Sequence, residues 1–221
     1  VLLNHVVSGK NVSTNLSTGY VNTLATFGDT DLNLSMFINT ASGVRLNGIS
    51  NVVNPDINAT NGVIHIVDAV IELPSVVTFA LADPTFDVLV SALTRETSFT
   101  FVNTLATTND TSPAPFTVFT PTNDAFIDLL SELSLANLDD VPTDVLAATL
   151  AMHVVAGANV QSSGLSNNMS VATLGGNITA NITGGATLTD ANNRVSNIIY
   201  TNVQAANGVV HVIDKVILPP L

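Results

Sequence analysis

The spacing of hydrophobic residues divides this chain into strand-like and helix-like stretches. Residues 2–7 read as the end of a helix entering a strand, broken at Ser8-Gly9. Residues 11–31 are rich in Asn, Thr and Ser with apolar beats at Val21, Leu24 and Phe27, which predicts hairpins. Residues 32–38 and 44–49 predict two more strands, the second turning at Asn47-Gly48. Residues 52–57 then lead to Asn61-Gly62, a dipeptide favoured in type I′ hairpin turns, and a long apolar run over 63–73 follows. Lacking clean alternation, that run predicts a strand buried on both faces.

Beyond residue 75 the period changes to a helical one. Asp83-Pro84 supplies an N-cap and a proline suited to the first helical position, and Phe86, Leu89, Val90 and Leu93 follow at helical spacing. Phe101, Val102 and Leu105 predict a short second helix, and residues 107–115 a polar, proline-containing loop. A strand over 116–120 precedes Pro121-Thr122-Asn123, which opens a helix carrying Phe126, Leu129, Leu130 and Leu133 at i, i+3, i+4 and i+7. Another helix begins near Pro142-Thr143, with Leu146, Leu150 and His153 on one face. From Val154 the strand-rich pattern returns.

That return is a repeat. NGVIHIVDAVIELP at 61–74 recurs as NGVVHVIDKVILPP at 207–220, an offset of 146. Eight of the fourteen positions are identical and three more exchange valine and isoleucine. The segments around His5 and His153, and LATFGD at 24–29 with VATLGG at 171–176, repeat likewise. A period of this length is that of a whole domain rather than a solenoid unit. The chain is therefore one and a half copies in tandem: residues 1–74 hold the rear half of a unit and 75–221 a complete one. Residue 1 falls inside what the second copy shows to be a helix-to-strand junction. The expectation is a longer natural chain that supplies the front half, the alternative being a neighbouring chain. Leu73-Pro74-Ser75 leaves almost no flexible linker, so the copies should sit close together. Helices concentrate in the front of each unit and strands in the rear, an α+β content.

Composition narrows the partners. Five Lys and Arg against 17 Asp and Glu give a net charge of −12, with no basic cluster to meet nucleic acid or an anionic membrane. Only 10% of residues are charged, so solubility rests on Asn, Thr and Ser. There is no cysteine, which excludes disulfides and thiolate metal sites. No uninterrupted apolar window is long enough to span a bilayer.

PFTVFTPTNDAF at 115–126, HVVAG at 153–157 and the closing NGVVHVIDKVILPP resemble, in that order, three boxes of the fasciclin domain. The resemblance covers the whole chain. It implies a wedge with a β-sheet core flanked by helices, repeated in tandem. It also implies a secreted or cell-surface protein, non-enzymatic and without a cofactor, active in adhesion or matrix assembly. Partners would be a surface or matrix protein or a glycan, with self-association through the tandem units. Thr120, Pro121, Thr122, Asn123, His153, His211 and Asp214 fall on the family's motifs, as do His5, His65 and Asp68 in the first copy. Asn4 and Met152 stand where the family's Tyr-His pair has tyrosine. Some animal relatives engage integrins through an Asp-Ile dipeptide, and Pro55, Asp56 and Ile57 resemble it in the first copy, ahead of a hairpin tip.

Other candidate chemistry is sparse. All four histidines occupy two repeat positions, and apolar neighbours point to buried imidazoles bonded to backbone rather than metal ligands. Asp68 and Asp214 each follow a histidine by three residues, which on a strand places the two side chains on opposite faces and argues against a catalytic dyad. Gly175-Gly176 and Gly184-Gly185 read as turns, because no lysine follows them. Asp139, Asp140 and Asp144 lack a calcium loop's alternation and suit helix N-termini. Sequons begin at Asn11, Asn15, Asn33, Asn58, Asn109, Asn168, Asn177 and Asn181, few more than the roughly five that chance would give.

Overall fold

The computed structural model describes residues 1–220. The first copy forms a five-stranded antiparallel sheet of β1 (Gly19–Thr26), β2 (Asn33–Asn39), β3 (Arg45–Leu46), β4 (Ser50–Ala59) and β5 (Gly62–Val67), in that order. Five helices follow: α1 (Val76–Ala82), α2 (Asp87–Thr94), α3 (Phe101–Leu105), α4 (Asn123–Glu132) and α5 (Thr143–Ala151). Among and after them lie β6 (Phe116–Pro121), β7 (Val154–Ala156), β8 (Met169–Thr173), β9 (Gly176–Asn181), β10 (Thr187–Thr189), β11 (Val195–Ala205) and β12 (Gly208–Ile213). These form a seven-stranded sheet in the order β7-β6-β12-β11-β10-β9-β8. Its strands pair antiparallel except β6 and β12, which run parallel from Gly208 opposite Phe116 to Ile213 opposite Pro121. The fold is α+β.

Both sides of β12 are covered, and that sets the core. On one face Val210 joins Phe79, Leu105, Phe116 and Val118, and Val212 joins the helix residues Phe86, Phe126, Leu129, Leu146 and Leu150. On the other face Ile213 packs with Phe119, Met152, Ile178 and Leu188. Removing a side chain of this size from water stabilises the fold by about 1.5–3 kcal/mol. Close approach also matters: a Cβ on Gly208 would lie 2.2 Å from the Phe116 carbonyl oxygen, so only glycine lets β6 lie against β12.

Several expectations are corrected. The apolar run at 63–73 is a strand only to Val67, and β5 is not buried on both faces. Ile64 and Ile66 are 54% and 45% exposed, whereas their counterparts Val210 and Val212 are 1% and 7% exposed. The reason is topological: β12 lies between β11 and β6, but among the described residues β5 pairs with β4 alone. Asn61-Gly62 and its counterpart Asn207-Gly208 are not hairpin centres either. Ala59 pairs with Gly62 and Ala205 with Gly208, so the loops are Thr60-Asn61 and Ala206-Asn207. The strand at 44–49 is shorter than expected, because Asn47 and Gly48 already turn with φ of 49° and 70°. Leu133 caps α4 and is 39% exposed, outside the buried stripe. His153 lies just past the end of α5, on no helical face.

Helix α1 had not been foreseen. Ser75 caps it in a reciprocal box with Thr78, and Val76 and Phe79 are buried. It also joins the two copies. Phe37 of β2 packs in the cluster of Val76, Phe79 and Val203, and Tyr20 of β1 meets Phe79 edge-on at 5.5 Å. The Tyr20 hydroxyl donates to Asp83 Oδ2 at 2.8 Å, Gln204 N donates to Ser35 Oγ at 3.0 Å, and Ala206 N to the Pro74 carbonyl at 2.7 Å. Burial, and then the Asp83 charge and hydrogen bond, push the Tyr20 phenol far above its usual range.

Candidate functional site

The histidines form two kinds of clasp, each built twice. His153 Nε2 accepts from Ile217 N at 3.0 Å, which leaves Nδ1–H to donate to the Thr149 carbonyl at 2.8 Å. His5 does the same with Ile71 N and the Val1 carbonyl, at 3.0 and 3.1 Å. His211 has the opposite tautomer: Nδ1 accepts from Asn202 N at 3.3 Å and Nε2–H donates to the Val160 carbonyl at 2.9 Å. His65 repeats this with Asp56 N at 3.3 Å and the Asn11 carbonyl at 2.8 Å. Burial drives the His153 pKa down to about 4 and lowers that of His211, against the opposing pull of their backbone bonds.

The motif aspartates close the same frame. Asp214 takes Asn197 N at 2.7 Å and Asn197 Nδ2 at 2.6 Å, and Asp68 takes the matching atoms of Asn51 at 2.7 and 2.8 Å. The Asn51 hydrogen bonds hold the Asp68 carboxyl below the usual range. Neither aspartate bonds its neighbouring histidine. Asn4 is buried where tyrosine was expected, donating to the Ile71 and Glu72 carbonyls at 3.3 and 2.8 Å, and Met152 is buried beneath Gly175.

The Thr120-Pro121-Thr122-Asn123 stretch ties strand to helices. Thr120 Oγ1 donates to the His211 carbonyl at 3.2 Å, and Pro121 ends β6 opposite Ile213. Thr122 caps α4 by accepting from Ala125 N at 3.3 Å. Asn123 accepts from Val88 N and donates to the Pro84 carbonyl, both at 2.9 Å, which pins α2 to α4.

Pro55, Asp56 and Ile57 lie in the bulged middle of β4, where Asp56 has φ of 62°. Its carboxylate accepts from Ser13 N at 2.8 Å and Ser13 Oγ at 2.5 Å, bonds that lower its pKa. Asn202, φ 61°, accepts from Ser162 N at 2.8 Å and donates through Nδ2 to Ser162 Oγ at 2.9 Å, so the position is a clasp in both copies. Pro55 and Ile57 are exposed, but the counterpart of Ile57, Val203, is fully buried. Asp140 accepts from Ala136 N and Asn137 N at 3.2 Å and Asp144 sits in the first turn of α5, so these carboxylates act at helix starts. Among the described residues no three His, Asp or Glu side chains converge at metal-binding distance.

A cavity of about 360 Å³ lies in the first copy. One rim is Val6 and Val7, the other Val63, His65 and Val67 of β5, and Met36 lies within the lining. Sequence reasoning missed it. The signal was available in the repeat, because Val7, His65 and Val67 match Val155, His211 and Ile213, which surround Phe119 in the second copy.

A family model described as the fasciclin domain matches residues 1–74 and 84–219. An uncharacterized protein of Synechocystis is 34% identical over 146 residues, covering 66% of this chain and 98% of its own. A second Synechocystis protein is 36% identical over 152 residues, 66% of this chain and 74% of its own. A fasciclin-like arabinogalactan protein of Arthroderma benhamiae is 25% identical over 214 residues, 90% of this chain and 47% of that one. The FAS1 domain pair of the insect cell adhesion molecule fasciclin I superposes with a TM-score of 0.58 at 18% identity, covering 91% of this chain and 71% of that chain. Among the described residues no single helix is long and apolar enough to cross a membrane.

Proposed function

This chain belongs to the fasciclin domain family, and from that premise we propose that it is a secreted or cell-surface adhesion or matrix protein. It binds a polar surface partner, protein or glycan, and catalyses no reaction. The observation that carries this reading is the use made of its reactive side chains. Every histidine and each repeated aspartate is spent on a backbone clasp, so recognition falls to the surface. With a net charge of −12 that surface suits neutral or cationic partners. Of Pro55, Asp56 and Ile57, which resemble the integrin-binding stretch, Pro55 and Ile57 face outward, with Asp56 holding the bulge that presents them.

The test is attachment. Beads carrying the purified chain are offered to immobilised cell-wall polysaccharides, matrix glycoproteins and intact cells, at low and high salt. Saturable retention by at least one surface, weakened by Pro55→Ala with an unchanged circular dichroism spectrum, is the expected result. Retention by none would remove the adhesion reading. Unaltered retention of the Pro55 variant would move the contact elsewhere. Secretion is tested by fractionating cells that produce the protein: recovery inside the cell alone would refute it. A structural role in assembly is the second reading, favoured by β5, which among the described residues pairs with β4 alone.

A further inference from the structure

We propose that Tyr20 and Tyr200 form an oxidative cross-linking site, at which a carbon–carbon bond between their rings fastens the first copy to the second. The chain has two tyrosines, and they meet across the junction. Tyr20 lies on β1 of the first copy and Tyr200 on β11 of the second, with ring centroids 5.7 Å apart and planes 42° apart. The Tyr20 hydroxyl donates to Asp83 Oδ2 at 2.8 Å, while Tyr200 is 47% exposed.

The repeat shows that the fold of a unit needs neither ring. The counterpart of Tyr200, 146 residues earlier, is Asn54. The counterpart of Tyr20 follows from strand register. Gly19, Ile38 and Leu46 lie side by side across β1, β2 and β3, as Met169, Ala180 and Leu188 do across β8, β9 and β10. Leu46 and Leu188 then face the repeated Ser50 and Ser196. Tyr20 thus corresponds to Ser170, and the pair of rings belongs to the junction. Other sinks for an oxidising equivalent are few: the chain has no cysteine and no tryptophan, and Met36 and Met152 are buried.

The two rings take complementary parts in the step. Tyr200 is open to the oxidant, which is hydrogen peroxide acting through a haem peroxidase. Tyr20 is half-buried, but it touches Tyr200 and has a proton acceptor in place. Burial and the Asp83 charge keep its phenol protonated, so its electron and proton leave together, the proton to Asp83 Oδ2 and on to solvent. Each phenol loses one electron and one proton and becomes a phenoxyl radical. The radicals join through carbons ortho to oxygen, and the hydrogen on each of those carbons moves to the phenol oxygen, restoring two aromatic phenols. Hydrogen peroxide takes up the two electrons and, by way of solvent, the two protons, and becomes two waters. Rings already held in contact couple with each other faster than with rings on separate chains. The bond closes a loop from residue 20 to residue 200, which removes freedom from the unfolded chain. This inference concerns the inside of the junction, so it stands whether or not the outer surface mediates adhesion.

The experiment treats the dilute, purified chain with a haem peroxidase and hydrogen peroxide. The expected product is a monomer lighter by two hydrogen atoms, with the fluorescence of a linked bisphenol. Proteolysis should release from it a pair of peptides joined at residues 20 and 200. Tyr20→Phe and Tyr200→Phe, each with an unchanged circular dichroism spectrum, should give no such monomer. Asp83→Asn, which keeps an oxygen to accept from Thr85 N, should form it about tenfold or more slowly, because an amide cannot take the proton. The linked chain should show a higher urea midpoint and slower hydrogen exchange at Gln204 and Ala206, whose amides bridge the copies. Dimers joined through Tyr200 alone, or no linked product, would overturn the proposal, as would linked monomer from either phenylalanine variant. An unchanged rate in Asp83→Asn would overturn the part given to that carboxylate.

Discussion

Acid should weaken this protein through two buried imidazoles, His153 foremost, before its carboxylates respond. His153 is fully enclosed and its pKa is about 4, against 6.5 for an unburied histidine. Between those values the unfolded chain binds a proton that the folded chain refuses, so stability rises with pH across this window and falls as acid is added. At about 1.4 kcal/mol per pH unit, the 2.5-unit separation costs about 3 kcal/mol by pH 4. His211 acts in the same direction. Asp56, Asp68 and Glu132 have lowered pKa values instead, so their contribution is lost at lower pH, as acid reaches their folded values. The assay is urea unfolding of the wild type and His153→Gln, followed by far-UV circular dichroism at pH 7, 5.5 and 4. At pH 7 the variant is less stable, because Ile217 N and the Thr149 carbonyl lose their partner, at about 1–3 kcal/mol for each buried group. That deficit should shrink by about 3 kcal/mol on going to pH 4. A deficit that does not change with pH would refute the reasoning.

Further outcomes are expected at three residues. Phe119→Ala empties the centre of the seven-stranded sheet and should cost about 3–5 kcal/mol in denaturant unfolding. Tyr20→Phe removes a hydrogen bond to the buried Asp83 and should cost about 1.5–3 kcal/mol, with faster hydrogen exchange at Ala206 where the copies meet. In the wild type, phenolate absorbance from Tyr20 should appear only well above the usual tyrosine range. Asp56→Ala should release the turn at Ser13–Asn15, seen as faster exchange of the Ser13 amide. Asp56→Asn should retain it, as Asn202 does in the second copy.

The repeat made most of the rear half legible. The apolar neighbours of the histidines were enough to indicate backbone-bonded rings, but the expected burial holds only for His153 and His211, since His65 is half-buried and His5 is exposed. The helix stripe at Phe126 and Leu129 was read directly from its spacing. Other features depended on partners far along the chain. Asn207-Gly208 has the local signature of a tight turn, yet the asparagine answers α1 and the end of α3, and the glycine answers β6. β5 carries the apolar pattern of a fully covered strand, but coverage is a property of neighbours that the pattern cannot supply. Helix α1 escaped notice because the Ser75 cap follows directly on Pro74 and looks like the end of a linker. At Asp56 the resemblance drew attention to an outward ligand, whereas the residue's positive φ and its bonds to Ser13 make it a fastening.

The contact between copies has a geometric consequence for any longer array. With Pro74 bonded to Ala206, Tyr20 to Asp83, and Phe37 seated among Val76, Phe79 and Val203, one unit cannot swivel about the Pro74-Ser75 peptide. Each junction of this kind would add a fixed rotation and a fixed rise. Equivalent faces would then recur at set compass bearings along the axis, like steps of a spiral stair. Weak contacts could then engage a regularly spaced surface together, with little orientational freedom left to lose at each one.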